Sequence, residues 1–354
     1  MPAAELTSRR FETANDYRSA LADIYRRGLT DGLPVVPPTE DLVREMLDYA
    51  GLNGGEVIAS LMPNDVEVTA EKIAVNAVMA GCVPEYLPVV IAAVKAVAQP
   101  QFNLLGVQGT TNPVAPVLVI NGPIRKALDV NCGRGCLGAG WRANATIGRA
   151  MRLILVNCGG AIPAEVDKAT HGMPGKYSFC FGELDESNPW HQPYHVEKGF
   201  AAEQSTVSVF GGQGTSNILA QFLEPDSVLH MLADCMRCYG FNTYLHGEGS
   251  PLVILNPGHA KIFADHGFDK KRIKEELFER TKIPRSYLPA ERPLLRPCWV
   301  DAPPERMLQI CRQPDDIAIV VAGGPEAYHI TYVPSFGYTM PATVAIDEPG
   351  KTLT

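Results

Sequence analysis

The stretch Cys132-Gly-Arg-Gly-Cys-Leu-Gly-Ala-Gly-Trp-Arg-Ala-Asn-Ala-Thr-Ile-Gly-Arg149 puts four glycines into nine positions just ahead of a helical pattern. Glycine lets the backbone turn tightly and approach a ligand closely. The first N–H groups of a helix have no internal partner and point outward, with the positive end of the helix dipole behind them. Arg134 and Arg142 flank the expected helix start, and Arg149 lies two turns further in. A guanidinium grips a carboxylate or phosphate through two parallel hydrogen bonds. Arg134, Gly138, Gly140, Arg142, Asn144 and Arg149 are therefore the candidate ligands of a small anion. The spacing matches neither the Gly-Lys-Ser/Thr phosphate loop nor the G-x-G-x-x-G dinucleotide pattern, so neither ATP nor NAD is expected and no cofactor is predicted. The alternative is a glycine loop packed under another segment, with its arginines in ion pairs.

A second reactive stretch runs from His171 through Lys176, Ser178, Cys180 and Glu183 to Asp185, Glu186, Trp190, His191 and His195. If Lys176 to Phe181 is a strand, Lys176, Ser178 and Cys180 share one face. A lysine there could serve as base or Schiff-base nucleophile, and Glu183 or Glu186 as proton carrier. His246 and Glu248, in Tyr244-Leu-His-Gly-Glu-Gly249, form a further possible acid–base pair. Gly323 and Gly324 follow an apolar run. Glycine turns at strand ends are where open α/β sheets place ligands, so these two are expected to offer N–H groups to the same anion.

The nine cysteines give two close pairs, Cys132 with Cys136 and Cys235 with Cys238. Cys136 sits before a helix start between arginines, where a thiolate is stabilised, and joins Lys176, Glu183 and His246 as a catalytic candidate. A zinc or iron–sulfur site needs the two pairs to converge, or help from His230 or His246, and stays open as an alternative. The remaining thiols are expected to be buried and inert.

Helices are expected at 11–29, 40–50, 70–81, 84–98, 142–157, 226–239, 258–265 and 269–280, and strands at 117–120, 176–181, 206–210, 252–255 and 316–321. Thr39 and Thr69 are the expected caps of the second and third helices. This alternation predicts an α/β fold with a mixed, partly parallel sheet. Pro116-Val-Leu-Val-Ile-Asn-Gly-Pro123, Pro251-Leu-Val-Ile-Leu-Asn-Pro257 and Ile317-Ala-Ile-Val-Val-Ala-Gly-Gly-Pro325 each read as a strand ending in an Asn/Gly/Pro turn. They suggest internally repeated strand–glycine turn–helix units. The expected division is an arm over 1–50, a first half over 51–204 with the anion loop, and a second half over 205–354.

The totals narrow the function classes. An apolar fraction of 46% with 20% charged residues belongs to a folded chain, not a disordered one. A net charge of −8 argues against general affinity for nucleic acid or anionic membranes. No apolar run reaches membrane-spanning length, and Met1 to Arg10 has no signal-peptide core, so a cytoplasmic location is expected. A homo-oligomer is compatible with all of this.

Asp31-Gly-Leu-Pro-Val-Val-Pro-Pro38, Arg142-Ala-Asn-Ala-Thr-Ile-Gly-Arg149 and Pro174-Gly-Lys-Tyr-Ser-Phe-Cys180 resemble a largely uncharacterised bacterial family. That family is associated with small thiol or selenol proteins carrying a Cys/Sec-Gly-Ser-Cys motif. The resemblance spans about residues 30–340 and implies a thiol or selenol partner protein, because this chain has no Cys-Gly-Ser-Cys of its own. The expected function is an enzyme acting on a small carboxylate-bearing substrate by acid–base chemistry, of lyase or hydrolase type. The alternative is a thiol- or metal-dependent oxidoreductase component.

Overall fold

The computed structural model describes residues 6–13, 16–238, 240, 242–246, 248–288 and 302–347. The chain opens with helices α1 (Tyr17–Arg26) and α2 (Glu40–Ala50), then a hairpin of β1 (Val57–Leu61) and β2 (Val66–Thr69). Helices α3 (Ala70–Ala80), α4 (Leu87–Val97) and α5 (Leu104–Gln108) follow. Strand β3 (Ala115–Asn121) leads through α6 (Ile124–Ala127) and α7 (Arg142–Asn157) to β4 (Cys180–Gly182). Next come α8 (Tyr194–Glu197), β5 (Thr206–Gly212), β6 (Ser216–Leu219), α9 (Pro225–Met236) and α10 (Asn242–His246). The chain continues through β7 (Leu252–Leu255), α11 (Pro257–Asp265), α12 (Lys270–Arg280), β8 (Ile283–Pro284) and β9 (Met307–Leu308). It ends in β10 (Ala318–Val321), β11 (His329–Val333) and β12 (Ala342–Ala345).

Local sequence explains the helix starts. The Thr39 side chain accepts from Leu42 N, and that of Thr69 from Lys72 N, as the sequence predicts. Helix α4 buries almost every side chain, the pattern of a helix enclosed on all sides. Among the described residues no single helix is long and apolar enough to cross a membrane.

Two four-stranded sheets form the centre. The first has the order β12-β5-β3-β4 and the second β10-β7-β11-β6. In each, one pair is parallel (β3 with β4, β7 with β10) and the remaining pairs are antiparallel. The expected mixed, partly parallel character is thus present in both. Val117, Val119, Phe181 and Phe210 of the first sheet pack against Leu252, Ile254, Val320 and Val333 of the second. Helices α3, α4 and α7 cover the outer face of the first sheet, and α9 and α12 that of the second. The result is helix, sheet, sheet, helix, with both faces of β3 and β7 dry. That is why these strands read as unbroken apolar runs. Replacing fully buried Phe181 by alanine would cost about 3–5 kcal/mol.

Three details differ from the sequence reading. Pro174–Lys176 is a 3-10 turn, closed by Tyr177 N donating to Pro174 O, and β4 begins only at Cys180. Lys176, Ser178 and Cys180 therefore do not alternate along one strand. Helix α1 begins at Tyr17, after its Asp16 cap, rather than near residue 11. Strands β5 and β12 both lie beyond residue 204, yet both belong to the sheet of β3 and β4.

Candidate functional site

Two asparagine side chains hold the glycine loop ahead of α7: Asn131 accepts from Gly133 N (2.8 Å) and donates to Arg134 O (3.0 Å), and Asn144 ties the loop to the helix. Asn144 Oδ1 accepts from Asn131 N (2.8 Å), and its Nδ2 donates to Asn131 O (2.9 Å) and Cys136 O (3.1 Å). Cys136 N donates to Gly133 O (3.1 Å), closing a turn whose third residue, Gly135, takes a positive φ (71°), and Gly138 N donates to Gly135 O (2.7 Å) in the next turn. The turn after β10 meets this loop: Gly323, at φ 105°, donates its N–H to Cys132 O (2.8 Å). Gly324 packs on the Arg134 side chain, which forms an ion pair with Glu326. Two glycine turns far apart in sequence thus close on each other.

They enclose a cleft with two lobes that share Leu137 and Gly138 as a common wall. The larger lobe, about 640 Å³, lies against the first turn of α7 and the segment Pro174–Cys180. Helix α7 has no side-chain cap, so its leading N–H groups face outward beside this lobe. The smaller lobe, about 300 Å³, lies at the C-terminal ends of the parallel strands β7 and β10. Cys136, Asn256, Gly323, Gly324, His329 and Thr331 line it.

His329 is an exposed ring of that lobe, beside exposed Tyr328. Asn217 Nδ2 lies 3.2 Å from its Nδ1. With the amide as donor, Nδ1 accepts and the neutral ring carries its proton on Nε2. Asn256 caps α11 through Oδ1 to His259 N (2.8 Å) and donates from Nδ2 to His329 O (2.8 Å). The strand carrying His329 is therefore fixed from two sides.

Of the residues singled out in the sequence, Gly138, Asn144, Gly323, Gly324 and Cys136 line the cleft, and Arg134 stands at its edge. Gly140 lies in the same loop, at φ 118°, outside both linings. The other arginines are turned to structural work. Arg142 donates to Gly81 O (3.0 and 3.1 Å), and Arg149 clamps Asp31 of the N-terminal segment. Lys176 pairs with Asp167 (2.6 Å), which also takes Arg152 (3.1 Å). Burial lowers the Lys176 pKa and Asp167 opposes the shift.

Glu183 is fully buried. It accepts from Asn121 Nδ2 and Tyr194 N (2.8 Å each) and from Val321 N (3.2 Å), with Lys270 Nζ at 3.9 Å. Burial pushes its carboxyl above the ordinary range, against the pull of Lys270. His246 stacks on Tyr338 (4.0 Å between centroids), and Glu248 pairs with Arg312 (2.8 Å). Neither joins Lys176 or Glu183, so the expected proton-moving set is not assembled in one place.

The cysteines run opposite in direction to the expected thiolate. Burial pushes the Cys136 thiol up to about 12 and raises Cys132 against the pull of Arg125. Both arginines near Cys136 in sequence are directed elsewhere, which removes the expected stabilisation. Cys235 ends its helix and Cys238 lies beyond it, exposed. Among the described residues no group of three or more His, Cys, Asp or Glu side chains could hold a metal ion.

Another cavity, about 470 Å³ and mostly apolar, lies between Leu6–Phe11 and α3. Its buried acid, Glu71, is occupied by Thr7 N and Ser8 N (2.8 and 3.0 Å). The residues that sequence reasoning missed are His329, Thr331, Asn256 and Asn217. Only Asn256, at a strand end before Pro257, carried a visible turn signal. No protein-family model, curated protein or solved structure matches the chain.

Proposed function

We propose that this chain is an enzyme that binds a small carboxylate-bearing anion where its two glycine turns meet and transforms it by acid–base chemistry of lyase or hydrolase type. His329 moves the proton, oriented by Asn217. The outward N–H groups of the uncapped α7 start face the anion, while those of Gly138 and Gly323 are spent on Gly135 O and Cys132 O in closing the turns. The observation that carries this reading is the closure of the two turns, Gly323 N to Cys132 O, around a cleft holding an exposed imidazole. Such a cleft at the ends of parallel strands is where α/β sheets usually act on ligands.

Calorimetric titration with acetate, pyruvate and succinate, followed by turnover assays of whichever binds, tests this. His329→Gln keeps a side chain able to meet Asn217. It should lower kcat by about 10²–10⁴-fold with a much smaller change in Kd, the glutamine amide still offering a donor to the ligand. Full turnover in that variant removes His329 from the chemistry. A protein that binds no carboxylate removes the reading altogether.

We also propose that the chain carries one α/β unit twice, β3-β4-β5-β6 and β7-β10-β11-β12, with the fourth strands exchanged between sheets. The support is the identical order of strand senses in the two sheets. Aligning Asn121 with Asn256 pairs Val117 with Leu252, Val119 with Ile254, Phe181 with Val320 and Phe210 with Val333. Every one of these lies in the layer between the sheets. The run Ile317–Pro325 then belongs to the second unit as its second strand rather than forming a third copy.

A further inference from the structure

We infer that the ligand's carboxylate sits in the smaller lobe, in the volume that the Glu183 carboxylate fills in the other half. This inference rests on the duplicated unit and deepens the anion reading of the same cleft. The register fixes the correspondence. Ile120 pairs with Gly182 in the first sheet and Leu255 with Val321 in the second, so the next residues, Glu183 and Ala322, are equivalent. Asn121 opposes Thr206, and the residue opposite Asn256 by the same register is His329. Val119 opposes Ser208 as Ile254 opposes Thr331.

One end of the inter-sheet layer is therefore built twice. In the first half Glu183 projects into it and is gripped by Asn121 Nδ2 and Tyr194 N at 2.8 Å and by Val321 N at 3.2 Å. In the second half the same position is Ala322, a methyl group. Ile254, Asn256, Ala322, His329 and Thr331 line an opening of about 300 Å³ instead, with Glu326 at its wall neutralised by its ion pair with Arg134. The side chain that fills one copy is missing from the other. A free carboxylate supplies the missing group, and the size of the opening suits a small acid. The donor equivalent to the Asn121 amide is at hand. Asn256 Nδ2 carries two hydrogens, of which His329 O takes one. The His329 ring stands opposite.

Ala322 is then the residue that opens the site, and restoring glutamate should close it. The test measures binding of acetate and of its neutral isostere acetamide, by titration calorimetry, to the whole protein and two variants. Wild type should bind acetate in preference to acetamide. Ala322→Glu should weaken acetate binding by about tenfold or more through occupancy and like-charge repulsion. Asn256→Asp preserves the α11 cap while setting a like charge beside the carboxylate. It should weaken acetate by a similar factor and leave acetamide unchanged, which keeps the test decisive if Ala322→Glu does not fold. Unchanged acetate affinity in folded Ala322→Glu and in Asn256→Asp overturns the inference while leaving an anion site elsewhere in the cleft standing. Wild type that prefers neither probe overturns the inference and the anion reading together.

Discussion

Removing Arg149 should loosen the N-terminal segment without touching the cleft. Its Nε and Nη2 each lie 2.8 Å from an Asp31 oxygen, and Nη2 also donates to Leu33 O (3.3 Å) and Pro34 O (2.9 Å). The pair is largely enclosed, with side-chain exposures of 14% for Arg149 and 3% for Asp31. In Arg149→Leu the carboxylate stays buried, with the Leu33 N–H (3.2 Å) and the Thr30 hydroxyl (3.4 Å) as donors from this segment, neither of them charged. Breaking a buried pair by deleting one partner costs about 3–5 kcal/mol, against less than ~1 for an exposed pair. Urea unfolding followed by tryptophan fluorescence measures the loss. Hydrogen exchange should localise the loosening to α1 and the Asp31–Pro38 segment. Adding Asp31→Leu should recover part of the loss, because the stranded charge is then gone. Burial pushes the Asp31 carboxyl up, Arg149 pulls it down, and the net is below its ordinary value. The stability it contributes is thus present above the ordinary carboxylate range and lost as pH falls through the depressed folded value. The gap between wild type and Arg149→Leu should shrink in strong acid. A loss under ~1 kcal/mol would refute the clamp. A collapse of carboxylate affinity at unchanged stability would return Arg149 to the ligand.

Two further predictions concern the walls of the cleft. An ideal Cβ at Gly148 would lie 2.4 Å from Ser178 Oγ and 2.8 Å from Phe179 N, so Gly148→Ala must push α7 off the segment lining the larger lobe. It should destabilise by about 1–3 kcal/mol and weaken ligand binding, and an unchanged Tm in calorimetry would contradict this. Cys136, its thiol pushed up to about 12 by burial, should alkylate far more slowly than exposed Cys238 at neutral pH. Mass spectrometry after brief iodoacetamide treatment gives the order. Fast labelling of Cys136 would restore the thiolate reading.

The longer helices were legible because each carries its own apolar period, and α2 and α3 a threonine cap as well. Thr39, Thr69 and the apolar stripe of α7 needed no tertiary knowledge. So were β3, β5, β7 and β10, whose burial on both faces writes an unbroken apolar run. Strands β6, β11 and β12 were not, since Ser216–Leu219, His329–Val333 and Ala342–Ala345 are short or mixed in polarity. Their pairing comes from partners distant in the chain. The glycine loop was visible, but its direct bond to Gly323 was not: that N–H, expected to face a ligand, donates to Cys132 O. The partners of the arginines were not, because a guanidinium that clamps Asp31 and one that clamps a ligand look alike in sequence. His329 was hidden for the same reason as its strand.

Glu183 links the two halves in a way that clarifies its own role. Its carboxylate accepts from Val321 N, and Leu184 N returns a bond to Val321 O (2.7 Å), so the end of β4 is stitched to the end of β10. Ala322 and Gly323, the wall of the smaller lobe, come next in the chain. Lys270 of α12 approaches the same carboxylate while donating to Ile319 O of β10 (3.0 Å) and pairing with Glu197 (2.5 Å). A buried ionic cluster of this kind adds little net stability over an apolar one, but its directed bonds set relative position tightly. Glu183, expected to move protons, lies buried at the centre of these bonds, and we propose that it acts on the cleft by position. On the proposed duplication, this filled copy of the site holds the open copy in shape, and rigid support of that kind is what a small ligand bound by a few polar contacts requires.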